Sequence, residues 1–163
     1  PSRPTAFGLI VFSVLFVQLL LGAYTAGLNA GYVSNTWPLM HGSLIPVGID
    51  WSGSVWTMLN NDPYVIHFIH RWWAWVAVGF LILLARRVRG QSRKASIAIH
   101  TSYGVQVLLG IATVITGVSI HFAVLHQAVG ALVVIATVWG MHLLGRNPAV
   151  ASTRSGSARL SES

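Results

Sequence analysis

Four long stretches with almost no charged residues limit what this chain can fold into more than any other feature. Each has the ~20 mainly apolar residues that a helix needs to span a bilayer. Backbone groups in lipid must be hydrogen-bonded within the protein, so helices are predicted rather than strands. Only 8% of the 163 residues are charged, against about 25% in soluble domains. We predict an all-α membrane protein with helices over about 6–28, 64–87, 95–117 and 122–145.

The basic residues are distributed as in a membrane protein whose two termini lie in the cytoplasm. All but one of them flank the helices on one side: Arg3, Arg86, Arg87, Arg89, Arg93, Lys94, Arg146, Arg154 and Arg159. The long connection 29–63 has no Lys or Arg, so the positive-inside rule puts it outside the cell. This distribution accounts for the net charge of +7 and argues against nucleic-acid binding. The sequence has no Cys, which excludes disulfides and thiolate metal sites.

Short connections between most of the helices favour an up-and-down four-helix bundle surrounded by membrane lipid. The connection 29–63 mixes turn formers with Tyr32, Trp37 and Met40. We therefore expect an ordered outer cap, with a short helix near 54–60, rather than a flexible linker. The segment 146–163 is predicted to be a disordered cytoplasmic tail, which leaves 1–145 as the membrane domain. Because the chain begins at Pro1, we expect it to be part of a longer polypeptide.

Two histidines inside the predicted helices indicate a haem site. In an up-and-down bundle the second and fourth helices lie diagonally across the core, at a spacing that suits a porphyrin between two imidazoles. His70 and His126 both lie roughly 8–10 Å below the outer boundary at 1.5 Å per residue. We predict that they are the axial ligands of a six-coordinate, low-spin haem, a state that favours electron transfer.

Three further residues complete the predicted haem site. Arg71 directly follows His70 in the sequence and is expected to pair with haem propionates. Gly130, one helical turn beyond His126, leaves room for a flat macrocycle. His67 is expected to line the haem edge, on nearly the same helix face as His70. Gly22, near the outer end of the first helix, allows the close approach of a neighbouring helix or of a ligand.

Other interpretations of these residues remain open. The histidines could be ordinary buried residues of a bundle, and the Arg71 side chain could extend to the lipid headgroups. His100 and His142 lie toward the cytoplasmic side on adjacent helices and could hold a second haem. A zinc site is an alternative, although no metalloprotease-like HExxH spacing is present.

Three motifs, taken in order, resemble the second half of haem A synthase. They are GAYTAGLNAGYVSNTWPLMHGSLIP at 22–46, FIHRWWAW at 68–75 and LHQAVGAL at 125–132. The resemblance implies one half of an eight-helix, pseudo-symmetric inner (plasma) membrane protein built from two four-helix bundles. It implies that His70 and His126 ligate a haem b. It also implies that the C8 methyl group of the substrate, haem O, is oxidised to a formyl group during cytochrome oxidase assembly.

The same resemblance implies partners that this chain does not contain. These are the N-terminal bundle, a haem O synthase, an electron acceptor and, as an open question, a second copy of the chain. In the family the missing half has an acidic residue three positions before its first histidine, where this chain has His67. We therefore expect the 163 residues alone to be incompetent in catalysis. The alternatives are a stand-alone electron-transfer cytochrome b, with one or two bis-histidine haems, and a haem-delivery or structural subunit.

Overall fold

The computed structural model describes residues 3–146, and within that range every regular element is a helix. The elements in chain order are α1 (Ala6–Gly27), a 3₁₀ turn (Ala30–Val33), α2 (Val55–Asn61), α3 (Pro63–Val88), α4 (Arg93–Ile115) and α5 (Ile120–Leu144). All except the 3₁₀ turn and α2 are long and apolar enough to cross a membrane. The predicted all-α, four-helix membrane bundle is confirmed.

The helix ends differ from the predicted ends by at most two residues, and capping groups rather than apolarity determine where α3 and α4 begin. Asp62 precedes α3, and its Oδ1 accepts hydrogen bonds from the backbone N–H groups of Tyr64 at 2.8 Å and Val65 at 3.2 Å. Pro63 follows at a position where a missing N–H costs nothing. Ser92 caps α4 in the same way, so this helix begins before the apolar run.

The four long helices run alternately up and down, and α3 has the most helix neighbours. It contacts α1 and α4 on either side and α5 across the bundle. Among the adjacent pairs of the four long helices, α1 and α5 make the least extensive contact. The diagonal approach of α3 to α5 brings together the two helices that carry the predicted ligands.

Buried side chains divide the bundle into two halves. We call residues 6–16, 77–88, 93–103 and 133–144 the terminal half, and residues 17–27, 63–76, 104–115 and 120–132 the loop half. The terminal half contains every residue of the main buried cluster: Val11, Leu15, Leu81, Leu84, Ala85, Val88, Ala95, Ile99, Val133, Ala136 and Leu143. In the described part of the loop half, only Val65, Ile66, His67 and Gly130 are buried. The helices are therefore closely packed at one end and open at the other.

The connection between α1 and α3 is folded over the open end. Ser54 caps α2, accepting a hydrogen bond from the Thr57 backbone N–H at 3.2 Å. The Tyr24 hydroxyl donates to Asn60 Oδ1 at 3.3 Å, which ties the end of α1 to α2. The sequence predicted a short helix near 54–60, and α2 occupies 55–61. Of the predicted tail 146–163, all but Arg146 lies outside the described residues.

Candidate functional site

The two predicted ligands lie in the loop half at matching depth. His70 is seven residues from the first residue of α3, and His126 is six residues from the first residue of α5. Both side chains are partly accessible. The structure therefore places one predicted ligand on each of two diagonal helices that contact each other, in the same half of the bundle.

His70 is held by a glutamine of the neighbouring helix α1. The Gln18 side-chain nitrogen Nε2 lies 3.2 Å from His70 Nδ1 and donates to the His70 backbone carbonyl, also at 3.2 Å. The imidazole lies against α1 at Gly22, where a Cβ would come 3.2 Å from His70 Cε1. Glycine at this position allows the ring to lie directly on the helix backbone. The group that approaches Gly22 closely is thus the imidazole of His70, on the neighbouring helix α3.

His126 is held in a related way by α4. Its Nδ1 lies 3.2 Å from the backbone carbonyl oxygen of Gln106, and its Nε2 lies 3.4 Å from Gln106 Nε2. A Cβ at Gly110 would come 3.0 Å from His126 Cε1. A glutamine and, one helical turn later, a glycine therefore form the surroundings of each imidazole.

The loop half fits a planar group held by two histidines. The Oε1 atoms of Gln18 and Gln106 are buried without a hydrogen-bond partner in the described chain, although native proteins satisfy most buried polar atoms. Both atoms belong to side chains that contact the imidazoles, and few side chains near them are buried. Residues 3–146 contain no cluster of three or more metal-binding side chains. A haem between two imidazoles needs only two protein ligands.

Arg71 connects the site to the outer connection. Its NH1 donates to the Thr36 carbonyl at 2.8 Å and its NH2 to the Ser34 carbonyl at 3.2 Å, while its Nε donates to His67 Nε2 at 3.0 Å. His67 is only 2% exposed. These bonds use three of the five guanidinium N–H groups, so two remain for an anion such as a propionate. Sequence reasoning predicted the anion partner but missed the anchoring of the loop.

A small cavity lies beside Arg71. It has a volume of about 210 Å³ and is lined by Trp37, Pro38, Arg71, Trp72 and Trp75. The cavity combines aromatic walls with one cationic group. It lies where the outer connection meets α3, and it is much smaller than a macrocycle would need.

Gly130, which the sequence predicted to leave room for a macrocycle, is buried on α5 next to a glutamine side chain of α4. A Cβ there would come 3.3 Å from Gln106 Nε2. The space beside Gly130 therefore accommodates the Gln106 amide in this structure.

The histidine of α4 at the terminal end is in a different environment. His100 is exposed, its Nδ1 bonds within its own helix to the Ser96 carbonyl at 2.8 Å, and its ring centroid lies 5.6 Å from that of Tyr103. His142 is exposed near the end of α5. The buried aliphatic cluster occupies the interior of the terminal half, and both of these histidines lie at its exposed surface.

Sequence reasoning missed Gln106 and Gly110, and an internal repeat could have revealed both. Residues 17–25, VQLLLGAYT, align with residues 105–113, VQVLLGIAT, with six of nine positions identical. The aligned threonines make the same bond, because Thr25 and Thr113 each donate to the carbonyl four residues earlier at 2.8 Å. Gln18 lies nine residues before the end of α1, and Gln106 lies nine residues before the end of α4. The bundle therefore contains two similar helical hairpins, α1 with α3 and α4 with α5.

Comparison with known proteins shows the family to which this chain belongs. Residues 1–138 match the COX15-CtaA model, described as cytochrome oxidase assembly protein. A haem A synthase of Sphingopyxis alaskensis is 52% identical over 151 residues, covering 92% of this chain and 42% of the relative. Haem A synthases of Erythrobacter litoralis and Novosphingobium aromaticivorans are 51% and 50% identical, covering 89% and 88% of this chain and 43% of each relative. The chain thus spans about two-fifths of the length of these relatives. No solved structure matches it.

Proposed function

We propose a function on the premise that this chain belongs to the COX15-CtaA family of cytochrome oxidase assembly proteins. In this proposal the chain is a haem-binding region that acts in haem A biosynthesis. The observation that carries this proposal is the pair of partly accessible histidines, His70 and His126, at matching depth in the open half of a membrane bundle. A bundle without a cofactor would be expected to fill this region with apolar side chains, as the terminal half does.

In this proposal the chain's own residues bind and orient a haem b. His70 and His126 would hold the haem iron through their imidazoles, and the two unused N–H groups of Arg71 would be available to a propionate. His67, which accepts a hydrogen bond from Arg71, holds that guanidinium in place. Gly22 and Gly110 let the imidazoles lie against the neighbouring helices. A haem with two imidazole ligands supplies one-electron transfer.

The complete reaction requires more than these residues. We propose that the whole enzyme oxidises the C8 methyl group of haem O to a formyl group, and that this chain contributes the haem b half and an electron path. The described chain has no carboxylate within its four long helices, so its bundle offers no acidic group for proton transfer near a substrate. The N-terminal bundle, a haem O synthase and an electron acceptor are the proposed partners, and self-association of the chain is left for experiment.

We also propose the membrane orientation that the charges favour. The exposed cations Arg86, Arg87, Arg89, Arg93 and Lys94 lie at the terminal end, which is then cytoplasmic. The loop half, with the proposed haem, then faces the outer side of the inner (plasma) membrane.

The test is haem extraction and quantification on the purified chain, together with His70→Ala, His126→Ala and the control His100→Ala. We expect one haem b per chain with a low-spin spectrum. This spectrum is lost in the first two variants and kept in the control. A second haem that survives both substitutions would instead indicate the electron-transfer cytochrome b, and a haem-free chain would refute the proposed site.

A further inference from the structure

We propose that Gln18 is the positioning residue for His70, a predicted haem ligand, and that the Gln18 side-chain amide rotates by a half-turn when haem binds. The backbone carbonyl of Gln106, in contrast, already orients His126 for haem binding. This inference rests on the proposed haem site and deepens it. It assigns different roles to two glutamines that occupy equivalent positions in the internal repeat. The argument depends on which ring nitrogen of each histidine carries its proton.

His126 has the arrangement that a haem ligand requires. Its Nδ1 faces the Gln106 carbonyl oxygen, which can only accept, so Nδ1 carries the proton. Its Nε2 therefore keeps a lone pair, to which the Gln106 amide nitrogen now donates at 3.4 Å. Metal-binding histidines commonly donate their other N–H to a carbonyl or carboxylate in this way. Haem binding at Nε2 requires only that the Gln106 side chain moves aside.

His70 has the opposite arrangement. Gln18 Nε2 can only donate, so the facing Nδ1 of His70 accepts and the proton lies on Nε2. The same nitrogen also donates to the His70 carbonyl oxygen, which fixes the orientation of the amide. In this state Nε2 has no lone pair for iron. Ligation through Nε2 therefore requires the proton to move to Nδ1.

The Gln18 side chain also contains the hydrogen-bond acceptor that His70 needs once its proton has moved to Nδ1. Its Oε1 is buried and has no hydrogen-bond partner in the described chain. A half-turn of the amide breaks the bond from Gln18 Nε2 to the His70 carbonyl and brings Oε1 to the place of Nε2, where it accepts from His70 Nδ1–H. One amide rotation and one proton shift within the imidazole thus convert His70 from a resting to a ligating form, and no proton is gained or lost.

The first experiment examines the haem-free chain. Histidine ¹⁵N chemical shifts distinguish the two neutral tautomers, with His70→Ala and His126→Ala used for assignment. We expect His126 with its proton on Nδ1 and His70 with its proton on Nε2. On haem loading, the His70 proton should be found on Nδ1. The same tautomer for both histidines in the haem-free chain would overturn the proposal.

The second experiment measures haem affinity in Gln18→Leu and Gln106→Leu. Loss of a group that orients a metal ligand typically costs about 10–100-fold in affinity, so we expect a loss of that size for Gln18→Leu. The Gln106 side chain does not orient Nδ1 of His126, which faces the backbone carbonyl, so Gln106→Leu should lose much less haem affinity than Gln18→Leu. Gln127→Leu, which removes an exposed glutamine next to His126, is the matched control.

Two further variants separate positioning from a merely structural role. Gln18→Met keeps the length of the side chain and should also weaken haem binding, which guards against misfolding of the leucine variant. Gln18→Glu provides an acceptor for Nδ1–H, so it should restore binding and lower the midpoint potential of the haem. Equal effects of Gln18→Leu and Gln106→Leu, or no effect of Gln18→Leu, would refute this inference. If His70→Ala keeps a low-spin haem, the proposed site itself fails.

Discussion

In the terminal half the four helices are joined by a continuous set of buried aliphatic side chains, whereas in the loop half the interhelical contacts that position the site are polar and sparse. A Cβ added at Gly140 of the terminal half would come 2.9 Å from Ile99 Cδ1 and 3.2 Å from Leu84 Cδ2. In the loop half a Cβ added at Gly22 or Gly110 would meet an imidazole instead. The same small residue thus serves helix–helix packing at one end and ligand placement at the other. Stability and binding should therefore respond to mutations in different halves.

The largest effect on stability is expected from Leu84→Ala in the terminal half. Leu84 is fully buried, and replacing a buried Leu by Ala costs about 2–5 kcal/mol of unfolding free energy. The change should appear in denaturant unfolding of the detergent-solubilised chain, while the haem affinity of the folded fraction is unchanged. Leu83→Ala is the control because Leu83 is 46% exposed. An equal loss in both variants would contradict the division into halves.

A smaller effect on stability is expected from Arg71→Gln in the loop half. The substitution removes hydrogen bonds from a charged donor to the Ser34 and Thr36 carbonyls, worth about 1–3 kcal/mol. The loss should be local and visible as faster amide hydrogen exchange in the outer connection, with the terminal half unaffected. Arg71→Lys should not restore protection from hydrogen exchange, because an ammonium group lacks the planar, forked set of N–H donors of a guanidinium. Arg89→Gln, at an exposed position, is the control, and uniform acceleration along the chain would refute local anchoring.

Gly110→Ala should separate stability from binding. Alanine raises helix stability by about 0.5–1 kcal/mol over glycine, but in the haem-free chain the crowding of His126 offsets this gain, so its stability should change little. Its Cβ would lie 3.0 Å from His126 Cε1, so haem affinity should fall by about tenfold, as when a ligand-orienting contact is disturbed. Gly104→Ala in the same helix meets no atom within 4 Å and should gain stability without losing affinity. Parallel titrations with haem would show whether the two variants differ.

The smallest effect concerns the pH dependence of the outer connection. Hydrogen bonds from the Ser52 hydroxyl at 2.6 Å and from its backbone N–H at 2.9 Å hold the pKa of Asp50 below its ordinary value of 3.8. A lowered carboxyl pKa stabilises the fold above the ordinary pKa, and this contribution is lost as the pH falls through the lowered value. An NMR titration of Asp50 should give a low pKa that rises in Ser52→Ala. An unchanged pKa in that variant would exclude Ser52 as the cause.

The fold could be predicted from the sequence because helix length and charge placement follow from the bilayer. The depth of His70 and His126 could be predicted as well, since it depends only on counting residues from a helix start. Hydrogen-bond partners that lie far apart in the sequence could not be predicted. Arg71 bonds to Ser34 and Thr36, 37 and 35 residues away, within a connection that has no regular periodicity.

The partners of the histidines were hidden for another reason. A helix that is apolar on all sides does not reveal which face points inward, so the contact of Gln18 with His70, 52 residues away, could not be derived from pattern. The repeat of residues 17–25 in residues 105–113 is the one signal that links Gln18 to Gln106. It shows that the two glutamines are equivalent in sequence, but not that their hydrogen bonds differ.

The limited contact between α1 and α5 bears on the rate at which a bound group can exchange. Because the buried cluster holds the helices together at the terminal end, these two helices can separate at the other end with little loss of buried surface. Such an opening costs far less than global unfolding and is correspondingly more frequent. This is therefore the side on which we expect a hydrophobic molecule dissolved in the bilayer to reach the loop half with the least loss of buried contact.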